Sequence, residues 1–268
     1  LGDVYKRQPA GAALGTTCAQ VISVMISLVM IIRQREKFSL SRKDFRPNRN
    51  VMGQILKIGI PIALQDGFIQ VAFMIITIIA NQRGLNDAAA VGIVEKIISF
   101  LFLIPSSMLS TVSALGAQNI GAGKRQRANE TLRYAVMITV GFGIIVGIFM
   151  QFFASPVVAL FTDASDASGA EVVRLGGQYL RGYVWDCMFA GIHFSFSGYF
   201  CACGKSGISF LHNIIAITLV RIPGVYLTST LFPDTLFPMG LATAAGSLLS
   251  AIICVVAFTI LNRKERQK

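Results

Sequence analysis

Charge is scarce in this chain. Only 14% of its 268 residues are Asp, Glu, Lys or Arg, against about 25% in an ordinary soluble domain. Acidic residues are the rarer sign, 13 against 24 Lys and Arg. With 54% hydrophobic residues, there is too much apolar surface for one aqueous core, and the natural solvent is lipid. The five cysteines lie scattered in or beside apolar runs, which excludes a secreted disulfide framework. Cys201 and Cys203 form a lone C-x-C with no second pair nearby, short of the four ligands of a typical structural zinc site. Two isolated histidines and no H-E-x-x-H leave a membrane-embedded enzyme as a remote alternative only. Strict period-two alternation is also missing, which argues against a membrane β-barrel. No cofactor, metal site or enzymatic activity is expected.

What is present is long apolar runs. A bilayer core about 30 Å thick takes roughly 20 residues of helix. Seven segments qualify, at about 10–32, 58–80, 90–116, 134–154, 174–202, 207–231 and 238–261. Helices are required because each backbone polar group must find its partner within the span. The fold class is therefore all-α, a polytopic transmembrane helical bundle of about seven spans. The net charge of +11 does not point to nucleic acid, because the basic residues sit in loops between apolar runs. Arg33, Arg35, Lys37, Arg42, Lys43, Arg46, Arg49, Lys57, Lys124, Arg125, Arg127, Arg133, Lys205, Arg263, Lys264, Arg266 and Lys268 fall on one side. The opposite loops hold Arg83 and Arg174 among acidic residues. The positive-inside rule then places the basic loops and the C-terminus in the cytoplasm of a multi-pass protein of the cell (plasma) membrane. Leu1 to Gln8, with "DVYKRQ" at Asp3 to Gln8, reads like a translated library adapter and is set aside.

Two Gly-Lys sequences invite a phosphate-loop reading. "GAQNIGAGKRQRANE" (Gly116 to Glu130) has Arg125 where Ser or Thr would hold Mg²⁺. "GYFCACGKS" (Gly198 to Ser206) has five residues between its glycines instead of four. Both follow a membrane span. They are expected to be tight turns after a helix, with the basic cluster near Lys124 set against anionic headgroups.

Function is expected where the chain tolerates expense. Asp66, Glu95, Lys96, Arg181, Asp186 and Arg221 fall within spans, at about 2.5–3.5 kcal/mol each at a helix centre. Asp66 and Asp186 lie near the midplane, whereas Glu95, Lys96 and Arg181 sit closer to the interface, where snorkelling relieves them. Helical spacing gathers polar residues into stripes: Asp66, Gln70 and Thr77; Glu95, Ser99, Ser106, Ser110 and Ser113; Gly182, Asp186, His193 and Ser197. Such stripes suit helices lining a shared polar cavity. Asp66, Asp186 and Glu95 are thus candidate cation-coupling residues, with Gln70, Ser99, His193 and Arg221 lining the cavity. The competing reading is that the acids and bases neutralise one another in buried ion pairs. For His193 and His212 an interhelical hydrogen bond competes with a proton relay. Pro61, Pro105 and Pro223 allow kinks. A midplane carboxylate favours its neutral or cation-bound form, so H⁺ or Na⁺ is the expected coupling ion.

"GAQNIGAGK" (Gly116 to Lys124) resembles a signature of the multidrug and toxic compound extrusion (MATE) family. "KIGIPIALQ" (Lys57 to Gln65), "LFTDASDASGAEVVRLGGQYLR" (Leu160 to Arg181), "FSGYFCACGKS" (Phe196 to Ser206) and "VRIPGVYL" (Val220 to Leu227) resemble further stretches of that family, in its order. In the third of these stretches after the signature, Cys201 and Lys205 replace the family's Arg and Asp. The resemblance implies a twelve-helix transporter of two six-helix lobes. It assigns 9–32 to the last helix of an N-terminal lobe otherwise missing, 33–57 to a basic cytoplasmic linker and 58–268 to the C-terminal lobe, with 1–8 set aside. It implies export of small amphipathic or cationic compounds by proton or sodium antiport. Partners would be the substrate, the bilayer and the missing lobe. One branch of the family carries a Glu eight residues after the proline of its seventh helix and an Asp in its tenth. Ile69 and Ala190 stand nearest those positions here, with Asp66 and Asp186 each about one turn away. The alternative within the wider superfamily is a lipid-linked oligosaccharide flippase, for which Arg181, Arg221 and Lys96 would furnish a basic cavity.

Overall fold

The computed structural model describes residues 8–33, 46–162 and 165–266. Residues 1–7 of the segment set aside at 1–8, residues 34–45 of the basic linker at 33–57, Asp163 and Lys268 lie outside the described residues. The chain divides into two compact units, Leu1–Gly53 and Gln54–Lys268. The first holds helix α1, Gln8–Arg33, whose described side chains are all exposed although they are mostly apolar. A helix apolar all round has no aqueous face to offer and fits lipid.

The second unit is a bundle of helices. It is built from α2 (Arg49–Arg83, beginning in the first unit), α3 (Leu85–Leu101), α4 (Leu103–Gly121), α5 (Arg125–Ala159), α6 (Ala167–Tyr183), α7 (Asp186–Ala202), α8 (Ser206–Ala216), a π-turn (Ile217–Arg221), α9 (Ile222–Leu231) and α10 (Phe237–Arg266). There is no strand among the described residues. Six segments are long and apolar enough to cross a membrane: Leu14–Arg33, Arg49–Arg83, Leu85–Gly121, Arg125–Ala159, Ser206–Leu231 and Phe237–Arg263. This is a multipass membrane protein. Its surface carries the expected inversion, with Ile145, Phe152, Leu219 and Tyr226 among the large apolar side chains left exposed.

The span expected at 174–202 is the one that departs. It consists of two helices, α6 and α7, of 17 residues each, meeting at Val184 and Trp185. The rod does not end there. Val184 N–H still donates to Leu180 O, and Cys187 and Met188 donate to Val184 O and Trp185 O, respectively. The join is a tightened turn, and α7 starts at Asp186. Prolines act as expected at two of three places. A break at Phe102 precedes Pro105, and the π-turn precedes Pro223, because each ring removes one backbone donor. Helix α2 runs through Pro61 without a break.

Both Gly-Lys sequences are helix stops. Gly123 and Gly204 have φ of 73° and 69°, a left-handed geometry that favours glycine. Lys124 N–H reaches back to Asn119 O at 2.8 Å, and Lys205 N–H to Phe200 O at 2.8 Å. Gly123 and Gly204 donate to Ile120 O and Cys201 O. This is the same Schellman closure twice, and it leaves no amide cradle for a phosphate.

Helices α6 and α10 meet through Gly182 and Gly240. A Cβ at Gly182 would stand 2.5 Å from Phe237 O and 2.9 Å from Leu241 N, and one at Gly240 would collide with Tyr179 O. Small residues let membrane helices approach this closely. Gly182→Ala is expected to cost about 1–3 kcal/mol through overpacking. A lower unfolding midpoint in detergent tests this; an unchanged midpoint would mean the crossing relaxes freely.

Candidate functional site

The buried interior is layered. One apolar cluster joins Ile76, Val94, Ile98, Tyr179, Tyr183 and Met239, and a second joins Val112, Leu132, Phe196, Phe200 and Cys254. Along α7 the first ends at Cys187 and the second begins at Phe196. Between them the buried residues turn polar: Asp186, His193, His212, Asn213, Arg221 and Ser247. A cavity of about 480 Å³ opens at that level.

Its walls are readable helix by helix. Helix α2 supplies Ile62, Asp66, Ile69, Gln70 and Phe73. Ser99, Phe102, Ser106 and Ser110 come from α3, α4 and the break between them. Asp186, Ala190, His193 and Phe194 come from α7, Asn213 from α8, Arg221 from the π-turn and Ser247 from α10. Asp66, Gln70 and Ser99 are exposed, whereas Asp186, His193, Asn213 and Arg221 are buried. The cavity is therefore open along α2 and α3 and closed along α7 and α8.

The structure brings together the sequence candidates Asp66, Gln70, Ser99, Asp186, His193 and Arg221 on one cavity, and leaves Glu95 outside it. Glu95 is half-buried and stands 3.4 Å from Thr77 Oγ1. The cavity ends one turn short of it on both helices, at Phe73 and Ser99. Ser197 and Gly182 also leave the stripe. Ser197 bonds His212 and Gly182 packs on α10.

The acids do not share one fate. Asp186 Oδ2 receives Arg221 Nη2 at 3.4 Å, and the same nitrogen donates to Tyr183 Oη at 2.9 Å. The guanidinium also lies 5.2 Å from the Phe73 ring centre and 5.9 Å from that of Tyr183, within cation–π range. Asp66, by contrast, has no ion pair and no hydrogen bond among the described residues. Arg181 is a tie between helices: its Nε donates to Gln151 O at 3.1 Å while Gln151 Nε2 donates to Arg181 O at 3.1 Å. His212 is held by two hydroxyls, Ser197 Oγ at 2.9 Å and Ser250 Oγ at 2.6 Å. The interhelical reading thus holds for His212. His193 faces the cavity with its ring centre 5.7 Å from that of His212.

Several buried polar atoms here have no partner: Asp186 Oδ1, His193 Nδ1, Asn213 Nδ2, Arg221 Nε, and both amide atoms of Gln65. Each such group costs about 1–3 kcal/mol if left so. Asp186, His193, Asn213 and Arg221 line the cavity, whereas Gln65 does not. Asn213 and Ser247 are lining residues that the sequence reading did not single out. Both are polar residues inside apolar runs, the signal that had found the others. Among the described residues no three His, Cys, Asp or Glu are grouped as metal ligands.

Comparisons with known proteins follow the same lines. The family model MatE matches residues 61–227. The chain is 27% identical over 228 residues to the probable multidrug resistance protein YpnP of Bacillus subtilis, covering 85% of this chain and 49% of that one. It is 26% identical over 249 residues to the multidrug export protein MepA of Staphylococcus aureus, covering 92% and 52%, respectively. The chain spans about half the length of these curated relatives. Among solved structures, the Vibrio cholerae MATE transporter VcmN in the bent form superposes with a TM-score of 0.78 at 18% identity, covering 96% of this chain and 57% of that one. A MOP superfamily transporter from Pyrococcus furiosus, described as having a binding pocket of reversed polarity, superposes with a TM-score of 0.84 at 19% identity, covering 93% and 55%.

Proposed function

The chain belongs to the MatE family, and from that premise we propose that it forms the cavity-bearing C-terminal portion of a multidrug exporter. The exporter would move small amphipathic cations out of the cell by exchange for H⁺ or Na⁺. The observation that carries this reading is Asp66, an acid without a counter-charge on the open wall of a mid-bundle cavity. An unpaired carboxylate in a membrane interior must bind a proton, a metal cation or an organic cation. Those three occupants exclude one another, which is the minimum an exchanger needs. The apolar surfaces of Ile62, Ile69, Phe73, Phe102 and Phe194 suit the remainder of such a substrate. The open side of the cavity would be completed by an N-terminal lobe, with the basic loops and C-terminus cytoplasmic.

The flippase reading is less well supported. It needs a basic cavity, yet Arg221 is neutralised by Asp186, and Arg181 and Lys96 do not line the cavity.

The test is efflux of ethidium and tetraphenylphosphonium from proteoliposomes holding the complete transporter, with H⁺ or Na⁺ gradients imposed separately. Uphill export under one gradient and not the other is expected. No gradient-driven movement of either cation would overturn the reading.

A further inference from the structure

Helix α2 passes through Pro61 without a break, yet the ring leaves a mark on it. A proline has no N–H to donate to the carbonyl four residues back, and its ring crowds that carbonyl. For Pro61 that residue is Lys57. Lys57 O is where Ser206 Oγ donates, at 3.2 Å. Ser206 is buried and is the first residue of α8. It closes the second Gly-Lys sequence, which holds no phosphate cradle.

The two halves of α2 are held differently. The second is packed and pinned. Ala72, Ile76, Ile79 and Ala80 are buried. Arg83 pairs with Asp87 at 2.8 Å and donates to Ser229 O at 2.7 Å and to Pro233 O at 2.6 Å. On the first half, no residue from 54 to 64 is buried. Gln65 is buried, but its amide atoms have no hydrogen-bond partner. This half meets α8 through Ser206 and through the Phe68 and Phe210 rings, whose centres are 5.8 Å apart. Asp66 lies along the helix between these two contacts, about 14 Å beyond Lys57 at 1.5 Å per residue.

We propose that Ser206 is a positioning residue for the exchange site. Its hydroxyl satisfies the carbonyl that Pro61 leaves open, ties the first half of α2 to α8, and so holds Asp66 in place on the cavity wall. This rests on the reading of Asp66 as the exchanging carboxylate. The proline frees the carbonyl and the serine takes it up, so the two residues act together although they lie on different helices. A serine needed only for the fold of α8 would not depend on Pro61.

Hydrogen exchange of the complete transporter in detergent micelles, read peptide by peptide, tests the tie. Ser206→Ala is expected to raise exchange over 54–70 about fivefold, the loss of one net hydrogen bond, with 72–83 unchanged. In a Pro61→Ala chain the new amide at position 61 reaches Lys57 O within the helix. Ser206→Ala added to Pro61→Ala should then change exchange by less than about twofold. Export reads the consequence. Ser206→Ala should raise the KM for ethidium by about twofold to fivefold, as the fraction of transporters with Asp66 in place falls, while kcat is kept. Pro61→Ala should suppress this rise as well. Unchanged exchange over 54–70 in Ser206→Ala would overturn the tie and leave the reading of Asp66 intact. An equal increase in the presence of Pro61→Ala would also overturn it, making Ser206 a packing residue of α8. Raised exchange with an unchanged KM would overturn the positioning role. Export that survives Asp66→Asn would instead remove the exchange-site reading, and what Ser206 positions with it.

Discussion

Arg221→Met in a chain that keeps Asp186 is expected to lose about 3–5 kcal/mol of stability, the cost of leaving a buried charge without its partner. Asp186 is fully buried, and Arg221 is the only cation that contacts its carboxylate among the described residues. Removing the guanidinium strands that carboxylate and empties the space between the Phe73 and Tyr183 rings. The converse change, Asp186→Asn, should cost less. The guanidinium then keeps Tyr183 Oη at 2.9 Å and its two ring contacts. The Asp186→Asn/Arg221→Gln double variant should recover most of the loss, because a buried ion pair removed whole is often near neutral. Unfolding midpoints in detergent for the four proteins complete a double-mutant cycle. A double variant as unstable as Arg221→Met would show that the charges do not support each other. The same experiment decides what Asp186 is for: a strong interaction energy makes it the anchor of Arg221, with no freedom to exchange cations.

The spans were legible because a lipid solvent imposes length and apolarity on every crossing helix, and both can be read without coordinates. The break at Val184–Trp185 was not. Helix α6 is amphipathic and α7 apolar, and the backbone hydrogen bonds run on through the turn, so no proline marks it. The two Gly-Lys turns were legible because only the left-handed glycine geometry closes a helix in so few residues. At the site, spacing placed Asp66, Gln70, Ser99, Asp186, His193 and Arg221 on inward faces, and the structure joins them on one cavity. Spacing could not say where the cavity stops. Glu95 lies on the same stripe as Ser99, one turn away, and meets Thr77 instead of open space. Nor could it say which acids are paired. That depends on the π-turn at Ile217–Arg221, which sets the direction of the Arg221 side chain. A five-residue backbone ring is not encoded in hydropathy, although such bulges often accompany functional sites.

Asp66→Asn in the complete transporter is expected to abolish gradient-driven export, a fall of about 100-fold or more to the leak rate, with expression and folding retained. The exposed position of Asp66 and its lack of partners mean that no structural bond is lost with the charge. Asp66→Glu should keep partial transport, because the exchangeable charge remains. The form of the driving force follows from counting charges. If Asp66 alone alternates between one H⁺ and one monovalent organic cation, each turnover moves one positive charge each way and is electroneutral. The membrane potential, about 2.3 kcal/mol per charge per 100 mV, then contributes nothing. The pH gradient alone drives export, with each unit of pH sustaining about a tenfold substrate gradient. Collapsing the potential with valinomycin and K⁺ should leave ethidium export unchanged, while collapsing the pH gradient should stop it. Export that follows the potential would require a second proton per cycle and hence a second titrating carboxylate. Asp186 is tied to Arg221, so that role would pass to Glu95, one turn beyond the cavity beside Thr77. Glu95→Gln would then make export electroneutral without stopping it. Potential-dependent export that survives Glu95→Gln unaltered would place the second titrating carboxylate either at an Asp186 released from Arg221 or in the N-terminal lobe.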